Sequence, residues 1–285
     1  MLVPTSLDEA LVALAADPDA HLLAGGTDLM VEVNFGHRRP PSVIAVNRID
    51  ELRHWVIDLD AGAVRIGAAA TYTDLMGSEV AALVPALTEA ARTVGSPQIR
   101  NAGTLGGNVG TCSPAGDTLP VLAALGASVE LASLSGTRTL PFTEFMVGPK
   151  RSARRNDEIV TAVVVPIVDG WQGFAKVGTR NAMVIAVCNA ALVADRQRAT
   201  VTMAMGSVGP TIMLAPEASA FVHDRIDWDT LRLVGTAAEI DDVVREFGAR
   251  CSAAASPIDD HRSTADYRRH AVGVLGGRLL RRAFA

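Results

Sequence analysis

From Gly95 to Gly116 the chain carries one charged residue, Arg100, and almost no bulk. At its centre stands Asn101-Ala102-Gly103-Thr104-Leu105-Gly106-Gly107-Asn108-Val109-Gly110-Thr111, with four glycines. Long loops of this kind are functional or disordered. The flanks are apolar and periodic: a helix is predicted over Ala81 to Thr93, and another over Thr118 to Leu125. Disorder therefore does not suit the segment, and a large, flat, polar ligand lying on backbone does.

A second glycine turn lies far away in sequence. Leu22-Leu23-Ala24-Gly25-Gly26-Thr27-Asp28-Leu29 reads as a strand feeding a turn and then a helix start. Consecutive backbone N–H groups in such a turn can converge on a phosphate. Taken alone, Gly-Gly after a strand is a plain turn more often than a binding site. Neither segment is a GxGxxG fingerprint, and no GxxxxGK[ST] occurs, so a Rossmann site and a P-loop are unsupported. Two phosphate-friendly turns from separate parts of one chain suggest a dinucleotide wedged between two subdomains.

Composition narrows the class. Of 285 residues 49% are hydrophobic and 20% charged, enough for a sizeable core. The net charge of −5 argues against a nucleic-acid partner. No apolar run approaches the ~20 residues of a membrane span; the longest, Met183 to Ala194, is interrupted by Asn189. The N-terminus lacks the positive region of a signal peptide, so a cytoplasmic protein without membrane insertion is expected. Cys112, Cys188 and Cys251 are scattered, which suits buried, reduced thiols. They cannot hold an iron–sulfur cluster, which takes about four thiolates.

The elements read as an α+β layout. Ser6-Leu7-Asp8-Glu9 is a capping-box pattern opening a helix to Ala16. Strands are expected at His21 to Ala24 and Ser42 to Asn47, and hairpins at Trp55–Leu59/Ala63–Gly67 and Ser128–Ala132/Thr137–Leu140. Asp117 is placed as cap of the helix after it. Gly148 to Asp157 is polar and basic and reads as an exposed loop or a domain junction. Beyond it come strands at Glu158–Val165, Gly173–Val177, Val184–Ala194 and Ala199–Met205, then helices at Asp229–Ala237, Ile240–Ala254 and Tyr267–Phe284.

The pairing of Ala24-Gly25-Gly26-Thr27-Asp28-Leu29 with Gln98-Ile99-Arg100-Asn101-Ala102-Gly103-Thr104-Leu105-Gly106-Gly107-Asn108, followed by Ser113-Pro114-Ala115-Gly116-Asp117, resembles the FAD-binding subunit of molybdopterin hydroxylases. That family includes xanthine dehydrogenase and the medium subunit of aerobic carbon monoxide dehydrogenase. Ser256-Pro257-Ile258-Asp259-Asp260-His261-Arg262, with Ala265-Asp266-Tyr267-Arg268, is similar to its last domain. The resemblance implies a vanillyl-alcohol-oxidase-like (PCMH-type) FAD-binding domain over 1–170, in two α/β subdomains of about 1–53 and 54–170. It also implies an antiparallel sheet-and-helix domain over 171–285.

The resemblance further implies noncovalent FAD. Leu22, Leu23 and Ala24 to Leu29 would wrap the pyrophosphate. Thr104, Gly106, Gly107, Asn108 and Thr111 would lie against pyrophosphate and flavin, Asp117 near ribityl or ribose hydroxyls, and Val160 and Lys176 along the flavin pocket. No acid or base is assigned. Implied partners are a small subunit with [2Fe-2S] clusters, a large molybdopterin subunit, and NAD or another electron acceptor. The chain departs from some relatives in three places. Val94 stands where they carry an aromatic, a four-cysteine insert is absent, and no histidine follows Gly25-Gly26 for covalent attachment. Two alternatives stay open: a scaffold subunit that has lost its flavin, and a stand-alone flavin reductase. Intact glycines and Asp117 speak against the first; the second needs substrate-binding residues that the last domain does not show.

Overall fold

The computed structural model describes residues 1–77 and 79–284. Helix Leu7–Ala16 opens as its capping residue dictates: the Ser6 hydroxyl accepts from the Glu9 N–H. The Glu9 carboxylate reaches one residue further back, to the Thr5 N–H at 2.9 Å. The helix buries Ala10, Leu11 and Leu14 against Ile44, Ile49 and Leu52. Beneath it, strand His21–Leu23 pairs in parallel with Val43–Ala45.

A five-stranded antiparallel sheet follows, in spatial order Trp55–Asp58, Ala63–Gly67, Ile159–Pro166, Ser128–Ser133, Gly136–Pro141. Its middle strand is the last in sequence and is apolar at nearly every position, as a strand covered on both faces must be. The chain between Gly67 and Ser128 supplies helices Tyr72–Gly77, Val80–Leu83, Pro85–Thr93, Pro97–Ala102, Leu105–Thr111 and Leu119–Ala124.

A four-stranded antiparallel sheet completes the fold: Gly170–Gly178, Ala186–Asp195, Thr200–Gly206 and Met213–Leu214, in that order. All ten residues of Ala186–Asp195 are buried. One face, with Phe174, Ala191, Val193 and Ala204, joins the core of the preceding helices. The other, with Cys188, Ala190, Leu192 and Met203, packs on helices Pro216–His223, Ala237–Ala254 and Ala265–Phe284. Alternation along one strand thus feeds two cores.

Several sequence expectations need correction. The glycine-rich segment is not an open loop: Ser96 and Thr104 cap two short helices within it. The helix expected over Ala81 to Thr93 breaks at Val84, because Pro85 disfavours helical backbone before it. Asp229–Ala237 is not a helix. The Asp227 carboxylate accepts the N–H groups of Asp229 and Thr230, Leu231 is left-handed, and a hairpin of Ile226–Asp227 with Arg232–Leu233 results. The next helix starts at Thr236, whose capping box with Glu239 is complete. Met146–Gly148 and Arg151–Ser152 pair inside the presumed basic loop. Helices Tyr72–Gly77 and Pro216–His223 were not foreseen.

Among the described residues no helix is long and apolar enough to cross a membrane. All three cysteines are buried and free, and burial pushes each thiol up to about 12.

Candidate functional site

The structure brings the two glycine segments into contact. A Cβ built on Gly25 would lie 1.7 Å from the Ala102 carbonyl oxygen, so backbone meets backbone there with no room for any side chain. One built on Gly106 would lie 2.4 Å from the Ala68 Cβ. These two glycines are therefore required by the protein's own packing. Gly107 differs: its added Cβ meets only the Thr104 hydroxyl at 2.9 Å and the Ala24 Cβ at 3.8 Å. It faces the space between the segments.

Donor accounting separates the segments further. The N–H groups of Leu105 and Gly106 bond the carbonyls of Ala70 and Ala68 at 2.9 and 2.8 Å, and that of Gly107 bonds the Thr104 hydroxyl at 3.0 Å. The helix Leu105–Thr111 thus has its first-turn donors occupied by protein. By contrast, among the described residues, no protein acceptor takes the N–H groups of Gly25, Gly26, Thr27 or Asp28. Gly26 is left-handed, at φ 73°. Leu22 to Thr27 are half-buried, Asp28 is exposed and Leu29 is buried. A run of free donors around a left-handed residue is a concavity for an anion.

Asp117 and Lys176 meet in a second cluster. Both side chains are 7% exposed, and the Lys176 Nζ lies 2.5 Å from Asp117 Oδ2. Lys176 also donates to the Thr93 carbonyl at 3.1 Å, and the Thr93 hydroxyl, with one proton, lies 2.8 Å from the Ala90 carbonyl oxygen and 3.2 Å from Asp117 Oδ2. Asn189 Nδ2 donates to Asp117 Oδ1 at 2.9 Å. Burial pushes the Asp117 carboxyl above the usual carboxylate range, and Lys176, Asn189 and Thr93 oppose that shift. Burial, then the charge of Asp117, likewise pushes the Tyr72 phenol up.

Asp117 is thus no helix cap: Thr118 takes the N-cap position, and no side chain caps that helix. The Thr118 hydroxyl donates instead to Asn108 Oδ1 at 2.6 Å, linking the glycine helix to the Asp117 cluster. Asn108 and Thr111 are half-buried, whereas Val160 lies within the core at 8% exposure. Residues Thr93 and Asn189 escaped sequence reasoning. Asn189 left a trace as the single polar residue interrupting an apolar run.

Several charged residues are engaged within the protein. Arg100 donates to the carbonyls of Val94 and Gly95 at 3.1 and 2.9 Å. Lys150 pairs with Glu32, and lies 3.5 Å from Asp28 at the glycine turn. Arg154 bonds the carbonyls of Arg155, Asn156 and Glu158. Arg282 pairs with Glu89 at 2.8 Å, tying the last helix to Pro85–Thr93.

An anion-ready turn beside a polar cluster, both framed by glycines, defines a dinucleotide-binding class of protein. Comparison with known proteins makes the class particular. Residues 1–168 match the FAD binding domain in molybdopterin dehydrogenase, and residues 174–283 match the CO dehydrogenase flavoprotein C-terminal domain. The chain belongs to the FAD-binding subunits of the molybdopterin dehydrogenase family. It is 32% identical over 274 residues to the glyceraldehyde dehydrogenase medium chain of Sulfolobus acidocaldarius, covering 95% of this chain and 92% of that one. It is 30% identical to the carbon monoxide dehydrogenase medium chain of Hydrogenophaga pseudoflava, covering 99% and 96%. Among solved structures, reconstituted CO dehydrogenase from Oligotropha carboxidovorans superposes with a TM-score of 0.86 at 28% identity, covering 99% of this chain and 96% of that chain. Quinoline 2-oxidoreductase from Pseudomonas putida 86 gives 0.87 at 26%, covering 99% and 95%.

Proposed function

We propose that this chain is the electron-transfer subunit of a molybdenum hydroxylase, carrying noncovalent FAD between [2Fe-2S] clusters on a small partner and NAD or another acceptor. A large molybdopterin subunit oxidises the substrate and sets its identity, and the assembly works in the cytoplasm. The observation that carries this reading is the run of N–H groups at Gly25 to Asp28 that no described residue accepts, held against the backbone of Ala102 and Gly103. When bound, FAD supplies a ring able to take two electrons together and release them singly.

The chain's own residues bind and orient. Leu22, Leu23, Ala24 and Leu29 shape the turn, while Gly25, Gly26, Thr27 and Asp28 offer donors to the pyrophosphate. Thr104, Gly106, Gly107, Asn108 and Thr111 form the opposing wall. Asp117 accepts from a ribityl or ribose hydroxyl, and Val160 and Lys176 border the ring pocket. Lys176 sits against a carboxylate, so the two charges form a dipole whose field decays faster than that of a lone cation. The pair orients rather than supplying a net positive charge. The FAD-binding domain spans 1–170, in subdomains of about 1–53 and 54–170, and 171–285 closes over Asp117.

The purified chain, with or without FAD reconstitution, is expected to show flavin absorption bands. Acid precipitation should release the flavin to the supernatant. A correctly folded protein that stays colourless after incubation with FAD would refute the assignment; colour remaining in the pellet would refute noncovalent attachment.

A further inference from the structure

Lys176, Asn189 and Gly206 lie directly opposite one another across three adjacent strands. Residues so paired share one face of a sheet. That face receives the loop Ser113 to Asp117. Lys176 and Asn189 each bond Asp117, and the Ser207 N–H donates to the Pro114 carbonyl at 2.8 Å. A Cβ on Gly206 would lie 2.2 Å from Asn189 Oδ1 and 2.9 Å from the Pro114 carbonyl oxygen, so glycine there seats the loop and leaves the amide its place.

Asn189 is fully buried, and its Oδ1 has no hydrogen-bond partner among the described residues. A buried acceptor left unpaired is destabilising, and an apolar residue of the same size would avoid it. What Asn189 contributes is its donor. An ionised carboxylate has about four acceptor sites. Lys176 bonds Oδ2, which the Thr93 hydroxyl shares with the nearer Ala90 carbonyl, and Asn189 takes one site on Oδ1, leaving a site open there.

We propose that Asn189 is a positioning residue of the cofactor site: its amide fixes the Asp117 carboxylate so that the remaining Oδ1 site faces a sugar hydroxyl of the cofactor. This rests on the reading that FAD lies against Asp117. The C-terminal sheet thereby completes a site whose glycine turns lie wholly in the first part of the chain.

The test is FAD affinity of the full-length, flavin-stripped chain as a function of pH. The groups facing Asp117 are Lys176 from its strand, Tyr72 from its helix, and the neutral Thr93 and Asn189. Deleting a hydrogen bond to the ionised carboxylate favours its protonated form. Protonation then breaks the Lys176 pair and places a proton on the acceptor, so affinity falls as pH falls. In Asn189→Leu, affinity is expected to drop roughly tenfold at pH 8, with a loss that grows towards pH 6 more steeply than in the wild type. A residue that merely fills space would lower affinity equally at every pH, and a profile parallel to wild type overturns the proposal. Should Asn189→Leu fail to fold, the isosteric Asn189→Asp sets a second carboxylate beside the first and is expected to steepen the profile the same way; a parallel profile there overturns the proposal equally. A folded wild-type chain that binds no FAD overturns the underlying reading of the site, whatever the variants do.

Discussion

Lys176→Met is expected to lower the unfolding free energy by about 3–5 kcal/mol at pH 8, the cost of leaving one partner of a buried ion pair uncompensated. The methionine stem replaces the lysine stem, but Asp117 keeps its 7% exposure and loses the cation it pairs with. Burial already raises its carboxyl, and removing Lys176 raises it further. The sign of the pH dependence follows. A carboxyl raised in the folded state binds its proton more tightly there than in the unfolded chain, where it titrates near ~3.9. The destabilisation is therefore greatest above the folded value and fades as pH falls towards the unfolded one. Chemical denaturation at pH 8 and pH 5.5 should show the variant closer to wild type at the lower pH. Equal losses at both would show that Asp117 is not the source. Adding Asp117→Leu should recover much of the loss, because an apolar pair removes the stranded charge.

Gly25→Ala is expected to damage binding more than a single methyl would ordinarily do. The new Cβ would sit 1.7 Å from the Ala102 carbonyl oxygen, and neither partner is a movable side-chain tip. The two glycine segments must separate by roughly an ångström, and overpacking of this kind costs about 1–3 kcal/mol. Because the free donors of Gly25 to Asp28 stand on that contact, FAD affinity should fall by roughly ten- to a hundredfold, at about 1.4 kcal/mol per decade. Isothermal titration of the flavin-stripped chain checks this. Unchanged affinity would mean that the contact of the turn with Ala102 and Gly103 does not shape the site. Gly107→Ala is the informative contrast, since its added Cβ points into the gap and not into backbone.

Much of the architecture was legible where local signals were strong. Ser6 marked its helix, Asp60-Ala61-Gly62 and Ser135-Gly136 marked their hairpins, and the apolar run ending at Ala194 marked the central strand of the last sheet. The misreadings share a cause. Asp229–Ala237 read as a helix, yet the Asp227 carboxylate satisfied two nearby N–H groups and bent the chain into a hairpin. Glycine density hid the helix Leu105–Thr111, whose start depends on bonds to Ala68 and Ala70 more than thirty residues upstream. The union of Asp117, Lys176 and Asn189 was illegible for the same reason. It depends on cross-strand register and on a loop docking between regions 59 and 72 residues apart. Family likeness named two of the three as ligand-lining residues and had no purchase on their bond to each other.

Strand Ala186–Asp195 contributes alternate side chains to two apolar interiors. It cannot leave either without exposing the other, although the chain matches two separate family segments on either side of residue 170. Heat should therefore meet one melting unit, not two beads on a string.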